Sequence, residues 1–373
     1  SREKHEEKRF DDANKELTGV MLYTNRVMTF MMPALMIIMN VMSILIVWTS
    51  AHRIDAGVME VGTMTAFITY TMMIVMAFLM LTMISIMLPR AGVAADRIDE
   101  VLKTEVSVNN STDAVDAGRS KGVVRFNHVS FAYPEAEGKV LDDIDFEASP
   151  GTTTAIIGST GCGKSTLVNL IPRFFDVTEG SITLDGRDIR NITLESLREN
   201  IGYVPQKGIL FSGTIADNIK YGQLAESDED MLEAAEIAQA TEFIEAKPDK
   251  YESQVAQGGN NVSGGQKQRL SIARAIARDP MIYIFDDSFS ALDFKTDAAL
   301  RKALAPKVKD KTVLIVAQRI STVMHAEQII VLDDGKVAGI GTHKELMENC
   351  EIYRQIAGSQ LSESELKKSL EVK

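Results

Sequence analysis

A segment in the middle of the chain has the residue types and the spacing of a phosphate-binding loop. It reads GSTGCGKS, fits the pattern G-x-x-x-x-G-K-[ST], follows an apolar run and leads into an apolar helix-forming run. Glycines let such a loop turn its backbone N–H groups toward phosphate oxygens, and the start of the next helix adds partial positive charge. Lys164 would reach the β- and γ-phosphates, and the Ser165 hydroxyl would bind Mg²⁺. The residues predicted to bind a nucleotide here are Gly158, Ser159, Thr160, Gly161, Cys162, Gly163, Lys164, Ser165 and Thr166.

A second acidic position follows much later in the chain. The run MIYIFD at 281–286 is apolar until it ends in Asp286. In enzymes with a phosphate-binding loop, an aspartate at the end of a buried strand holds Mg²⁺. Apolar runs that end in Asp are common, so this position gains weight only because the loop stands in the same chain. Together the two motifs predict a site for nucleotide phosphates and Mg²⁺.

Short runs rich in Val and Ile supply the frame that must position these loops. They begin after Lys121 and alternate with helix-forming segments; examples are VVRF at 123–126, TTTAIIG at 152–158, MIYIF at 281–285 and TVLIVA at 312–317. Strands of this composition with helices between them predict an α/β layer around a largely parallel sheet.

The N-terminal part has a different composition. Fifteen of the 19 methionines lie between Met21 and Met87, and Asp, Glu, Lys and Arg are missing from 27–52 and from 61–89. A bilayer core needs about 20 apolar residues in a helix, so both stretches predict transmembrane helices. A pair of buried core helices is the alternative, although such helices are usually shorter. Lys and Arg residues precede the first stretch and follow the second. By the positive-inside rule, both ends of the pair are expected in the cytoplasm and the 53–60 loop outside.

Charge and cysteine content exclude other classes. A net charge of −12 over 373 residues argues against a nucleic-acid-binding protein, which normally has a basic face. Cys162 and Cys350 are too few for a disulfide framework, and reduced thiols are expected. We predict a charged helix and two transmembrane helices in 1–103, a polar linker in 104–121, and a nucleotide-binding domain in 122–373.

Further motifs stand in a particular order along the chain, and that order resembles one protein family. NVSGGQKQR at 261–269, which comes before Asp286, resembles the signature sequence of ABC transporters. Within that resemblance, Tyr133 in FAYP looks like the aromatic residue that stacks on adenine. Gln206 in YVPQ looks like the glutamine that senses the γ-phosphate and Mg²⁺ and touches the membrane domain. SALD at 290–293 looks like the loop that crosses the dimer interface.

The resemblance covers nearly the whole chain and implies its fold. It implies an α/β P-loop ABC-type ATPase domain with a helical subdomain, preceded by an all-α transmembrane hairpin. The hairpin looks like the last two of six membrane helices of an exporter half, so four more would precede it. Because two helices cannot surround a pathway, further helices must come from other chains or from a segment ahead of this sequence. The implied activity is ATP-driven export across the cytoplasmic membrane, with ATP and Mg²⁺ as cofactors.

The signature has a physical meaning beside the resemblance. Ser263, Gly264, Gly265 and Gln266 stand at the start of a helix, where free N–H groups and the positive dipole end attract phosphate. An ordinary helix cap is the alternative for Gly-Gly alone. One nucleotide cannot occupy two such sites of a rigid domain at once. Two domains facing head to tail would hold each nucleotide between the phosphate loop of one and the signature of the other.

Two positions depart from the family pattern. The glutamate that usually follows Asp286 and polarises the attacking water is Asp287 here, one methylene shorter. A misplacement of about 1 Å can cost about 100-fold in rate. The histidine that usually contacts the γ-phosphate is Gln318, which cannot carry the charge or the proton of an imidazole. The pair resembles the impaired-site subunit of heterodimeric bacterial ABC multidrug exporters, and predicts a site that binds ATP but hydrolyses it poorly.

Three alternatives stay open on the sequence alone. They are a regulatory or structural ATP-binding subunit, a slow homodimeric exporter, and a soluble ABC ATPase, against which the two charge-free stretches argue. The expected partners are a second ABC half-transporter with intact Glu and His, the lipid bilayer, and a small apolar or amphipathic cargo. No nucleic acid is expected as a partner.

Overall fold

The protein divides into two compact units, 1–105 and 106–373. The structure, a computed structural model, describes residues 2–134, 136–222, 227–362, 365–366 and 369. The first unit is a helical hairpin of α1 (Glu3–Asp55) and α2 (Val61–Lys103). Both helices are long and apolar enough to cross a membrane, with windows of mean hydropathy 2.3 and 2.4. Helix α1 runs without interruption through the charged N-terminal residues, the apolar span and Pro33.

The second unit contains all the strands and the remaining helices of the described chain. The strands are β1 (Val124–Phe131), β2 (Leu141–Ala148), β3 (Thr153–Gly158), β4 (Glu179–Leu184), β5 (Arg187–Asp188), β6 (Ile201–Val204), β7 (Gly213–Thr214), β8 (Gln254–Val255), β9 (Ile282–Asp286), β10 (Thr312–Val316), β11 (Gln328–Asp333) and β12 (Lys336–Gly341). The helices are α3 (Lys164–Leu170), α4 (Leu194–Glu199), α5 (Ile215–Lys220), α6 (Asp228–Ile237), α7 (Thr241–Glu245), α8 (Gly264–Ala277), α9 (Phe294–Lys307), α10 (Ile320–Val323), α11 (His343–Asn349) and α12 (Glu351–Gln360). Short 3-10 turns cover Ile189–Asn191, Lys250–Glu252 and Gln257–Gly259.

A six-stranded sheet forms the centre of this unit, in the order β12-β11-β3-β10-β9-β6. Its strands pair in parallel except for β12, which is antiparallel to β11. Both faces of the inner strands are buried, because Ile282 and Ile284 pack on one side while Tyr283 and Phe285 pack on the other. Burial on both faces explains why these strands are continuous apolar runs in the sequence.

A second, four-stranded sheet has the order β2-β1-β4-β5 and is antiparallel throughout. The VVRF run belongs to this sheet, in β1, and not to the parallel sheet that its Val-rich composition suggested. Phe126 and Phe146 stack across the β1–β2 pair with ring centroids 4.6 Å apart. The inner face of this sheet shares one apolar core with α3 and the parallel sheet.

Helices α5 to α8 and the β7–β8 pair form a helical subdomain, inserted between β6 and β9. Its apolar residues pack with the other face of the parallel sheet and with α12. This arrangement gives the parallel sheet one cover of strands and another of helices.

The polar stretch predicted to be a linker lies along the second unit from Val106 onward. Its Asn109 carbonyl accepts a bond from Arg173 Nη2 at 3.0 Å. The Asn200 side chain accepts from the Ser120 backbone N–H at 2.8 Å and is itself buried. Side-chain hydrogen bonds therefore hold this segment, which has no helical or strand periodicity to predict it.

Candidate nucleotide-binding and hydrolysis site

The carboxyl ends of four neighbouring parallel strands place the predicted residues in one row. The phosphate loop follows β3, Gln318 follows β10, Asp286 ends β9, and Gln206 follows β6. Adjacent strands lie about 4.8 Å apart, so side chains at these ends are within reach of their neighbours. Ligands bind outside this edge in open α/β sheets. The topology thus explains how residues far apart in sequence form one site.

The phosphate loop turns tightly into α3 at Gly163. This glycine is the N-terminal cap residue of α3 with φ 96°, a left-handed conformation that favours glycine. A Cβ here would lie 2.8 Å from Leu141 Cδ2. Lys164 is buried, and its Nζ donates to the carbonyls of Gly158 at 2.9 Å and Ser159 at 2.6 Å. The loop is therefore closed around its own lysine, and phosphate binding by its backbone N–H groups stays a prediction.

Ser165 and Asp286 meet directly. The Ser165 hydroxyl donates to Asp286 Oδ1 at 2.9 Å, and the Tyr203 hydroxyl lies 3.4 Å from Oδ2. Burial raises the pKa of the Asp286 carboxyl, with the charge of Asp287 adding to the rise and the Ser165 hydroxyl opposing it. A buried carboxylate beside a second one is an arrangement that a cation relieves. The donor set therefore fits Mg²⁺, which these two residues would hold together with nucleotide phosphates.

Tyr133 lies next to the phosphate loop. Its hydroxyl is 3.0 Å from Thr166 Oγ1, on the first turn of α3. Its ring packs edge-on against Phe131, with centroids 4.9 Å apart, and against Phe175 at 5.2 Å. These two aromatic contacts hold the half-buried ring beside the phosphate loop. Stacking of a nucleotide base on this ring stays a prediction.

Asp287 is held by both glutamines singled out in the sequence. Its Oδ2 accepts from Gln206 Nε2 at 3.1 Å and from Gln318 Nε2 at 2.8 Å, and we call these three residues the Asp287 cluster. Asp287 has φ 49°, a left-handed conformation in which aspartate is tolerated, and its side chain is turned inward and buried. Gln206, expected to touch Mg²⁺, contacts Asp287 and not Asp286.

The signature residues form the exposed start of α8. Ser263 is the cap residue, and a capping box joins its side chain to the Gln266 backbone while Gln266 bonds back to the Ser263 N–H at 3.0 Å. A Cβ at Gly264 would meet nothing within 4 Å. Within the described residues, no hydrogen bond joins this turn to the phosphate loop. One chain therefore offers two separate phosphate-attracting helix starts.

Two residues that the sequence did not single out contact the Gln206 loop and the Asp286 carboxyl. Gln268, buried on α8, donates to the Pro205 carbonyl at 3.0 Å and accepts from the Gly208 N–H at 3.0 Å. The Tyr203 hydroxyl donates its one proton to Asn169 Oδ1 at 2.8 Å and lies 3.4 Å from Asp286 Oδ2. Gln268 lies inside the signature stretch 261–269, but its position in the sequence does not predict its contacts with Pro205 and Gly208. Tyr203 carries a raised pKa because of burial and then the Asp286 charge.

Comparison with known proteins agrees with this architecture. A family model described as ABC transporter matches residues 141–290, and one described as ABC transporter transmembrane region matches residues 1–78. A solved structure of a bacterial Atm1-family ABC exporter with ATP bound superposes with a TM-score of 0.83 at 30% identity, over 97% of this chain and 64% of that one. The fold is that of an ABC exporter, with a helical hairpin that matches part of a transmembrane region, followed by an α/β domain that matches an ABC transporter ATP-binding domain.

The curated relatives match almost the whole of this chain and are themselves longer proteins. An uncharacterized ABC transporter ATP-binding protein of Mycobacterium tuberculosis is 46% identical over 96% of this chain and 62% of its own length. A Bacillus subtilis protein whose name proposes multidrug export is 36% identical over 95% of this chain and 61% of its own. The chain thus spans a little over three fifths of the relatives it matches.

Proposed function

We propose that this chain forms part of one half of an ATP-driven exporter in the cell membrane, with its ATPase domain in the cytoplasm. The names of the relatives and the superposition on an ATP-bound exporter support the class of activity. A head-to-tail dimer would place the exposed Ser263–Gln266 turn of this chain on the ATP held by its partner. A small apolar or amphipathic cargo agrees with spans that contain no Asp, Glu, Lys or Arg.

The chain's own site would bind ATP and hydrolyse it slowly. The observation that carries this proposal is the Asp287 cluster, in which both glutamine amides donate to one oxygen of a shortened acidic side chain. A carboxylate that accepts two amide bonds, at the end of a side chain one methylene short, is poorly placed to polarise a water on the γ-phosphate. Mg²⁺ and phosphate binding do not depend on it, because Ser165, Asp286 and the loop are complete.

The intact signature suggests that the partner is a different chain. Its capped, exposed helix start can serve a competent site whose glutamate and histidine belong to the other half. Such a pair would be asymmetric, with one site mainly holding ATP and the other turning it over. A homodimer with two slow sites is the alternative arrangement.

The decisive experiment measures ATP hydrolysis by the full-length protein in lipid nanodiscs, alone and after co-expression with an ABC half-transporter carrying Glu and His at the two positions. We expect turnover well below the ordinary range of about 1–10³ per second for the chain alone, and a rise in the pair. Rapid hydrolysis by the chain alone would contradict the weak site. Native mass spectrometry separates the arrangements, since two identical copies in the native complex would favour the homodimer.

A further inference from the structure

The C-terminal helix of the described domain reaches the loop that carries Gln318. Gln360, the last residue of α12, accepts a bond from the Ile320 backbone N–H through Oε1 at 2.8 Å. Its Nε2 donates to the Gln318 carbonyl at 2.8 Å. One side-chain amide therefore bridges two backbone groups on either side of Arg319.

This bridge fits the loop in only one orientation of the amide. An N–H group needs an acceptor and a carbonyl needs a donor, so exchanging the oxygen and nitrogen of Gln360 would create two repulsive contacts. Ile320 is the first residue of α10, whose cap residue Arg319 makes no side-chain capping bond. Gln360 thus supplies the acceptor that a free helix-start N–H requires.

The helix that carries Gln360, α12, is anchored in the apolar core. Tyr353 and Ala357 of α12 are fully buried in the core below the parallel sheet. The Tyr353 hydroxyl lies 2.7 Å from His343 Nδ1 on α11. A side chain at the end of such an anchored helix is well suited to fix the position of a loop.

We propose that Gln360 is a positioning residue of the ATP site, acting through the Gln318 loop. The amide bridge sets the backbone on either side of Arg319, and the backbone in turn directs the Gln318 side chain to Asp287 Oδ2. The bridge therefore determines where residue 318 stands relative to the γ-phosphate. This inference rests on the proposed function, because it assumes that ATP binds beside Gln318.

The test is a double-mutant cycle on the full-length protein, read as the ratio of the dissociation constants of ADP and ATP. Only ATP has a γ-phosphate, so this ratio includes the contact made by residue 318, and the Gln318→Ala background separates that contact from the others. Gln360→Ala should lower the preference for ATP about fivefold, the range expected for loss of one or two hydrogen bonds. In a Gln318→Ala background the same change should alter it by less than about twofold, because the group it positions is gone.

Gln355→Ala is the matched control, since Gln355 is an exposed glutamine of α12 whose side-chain hydrogen bond, among the residues that the structure describes, goes to Glu351 of the same helix. It should leave the ratio unchanged. Equal effects of Gln360→Ala with and without Gln318 would show that the residue acts only on fold stability, and would overturn the proposal. No preference for ATP in the unaltered protein would overturn it as well.

Hydrogen exchange gives a second measurement that needs no nucleotide. The Ile320 amide should exchange about tenfold faster in Gln360→Ala and in Gln360→Glu, whose second oxygen would face the Gln318 carbonyl. Unchanged protection of this amide would contradict the bridge itself. Rapid ATP hydrolysis by the unaltered chain, with the cycle as expected, would contradict the weak site while the positioning role stands.

Discussion

The phosphate loop and the Asp287 cluster lie at the same edge of one sheet, but their side chains are engaged differently. In the loop, Lys164 bonds backbone carbonyls and Ser165 bonds Asp286, so the predicted phosphate-binding and Mg²⁺-binding side chains lie together. In the cluster, the acidic group is occupied by two amides of its own chain. Under the proposed function, holding ATP and hydrolysing it would depend on different parts of one row of strand ends.

The physical basis of the difference is the kind of group that each part uses. Under the proposed function, phosphate binding uses Lys164 together with backbone N–H groups, whose positions are fixed by glycines and by the start of α3. Hydrolysis would use the reach of a single carboxylate and the charge of the residue opposite it. On this proposal, one methylene and one imidazole can be lost from the second part without disturbing the first.

Removing the lysine of the phosphate loop should have the largest effect, and it tests whether the loop is the part of the sheet edge that binds ATP. Lys164→Ala deletes the only cation that the loop directs at the β- and γ-phosphates, and charge-assisted bonds of this kind are the strong ones. We expect ATP affinity to fall on the order of 100-fold, measured by displacement of a fluorescent ATP analogue. Lys302→Ala, at an exposed position of α9, is the matched control and should leave affinity unchanged. Retained affinity in Lys164→Ala would mean that the loop is not the ATP site.

Restoring the family residues at positions 287 and 318 should have a smaller effect, and it tests whether the Asp287 cluster limits the rate of ATP hydrolysis. Asp287→Glu with Gln318→His returns the missing methylene and an imidazole that can take a proton. We expect hydrolysis by the full-length protein to rise about tenfold, less than the full cost of about 100-fold for a misplaced group, since the neighbouring side chains stay adapted to Asp and Gln. ATP affinity should change little. An unaltered rate would place the limitation outside the Asp287 cluster.

Particular residues show what the sequence predicts and what it leaves out. The strand ends that carry Asp286 and Gln318 follow from continuous apolar runs, which are typical of parallel strands buried on both faces, although the VVRF run shows that Val-rich composition alone does not identify the sheet. Strand β2, LDDIDFEA, alternates acidic and apolar residues on an antiparallel sheet and was not predicted. Gln268 and Gln360 act across tens of residues through single side-chain amides, and such contacts have no local period. Their roles become visible only when the fold brings the backbone groups together.

The smallest expected effect is a pH dependence of local stability at the Gln318 loop, without a matching change at the phosphate loop. Burial, and then the charge of His325, lower the pKa of His343, so the fold favours its neutral form. Stability from this group is therefore present above its ordinary value of 6.5 and is lost as the pH falls through the lowered pKa. Because His343 contacts Tyr353 on the helix that carries Gln360, acidification should loosen α12 and with it the Gln318 loop.

Hydrogen exchange at a series of pH values, corrected for the intrinsic rate, measures this effect. We expect protection of the Ile320 amide to fall a few-fold on acidification, while the first turn of α3 after the phosphate loop stays protected. His343→Asn keeps a neutral polar group against Tyr353 and should remove the pH dependence. Equal loss of protection in both regions would show that acid loosens the whole domain, and the two parts of the sheet edge would then not be separable in this way.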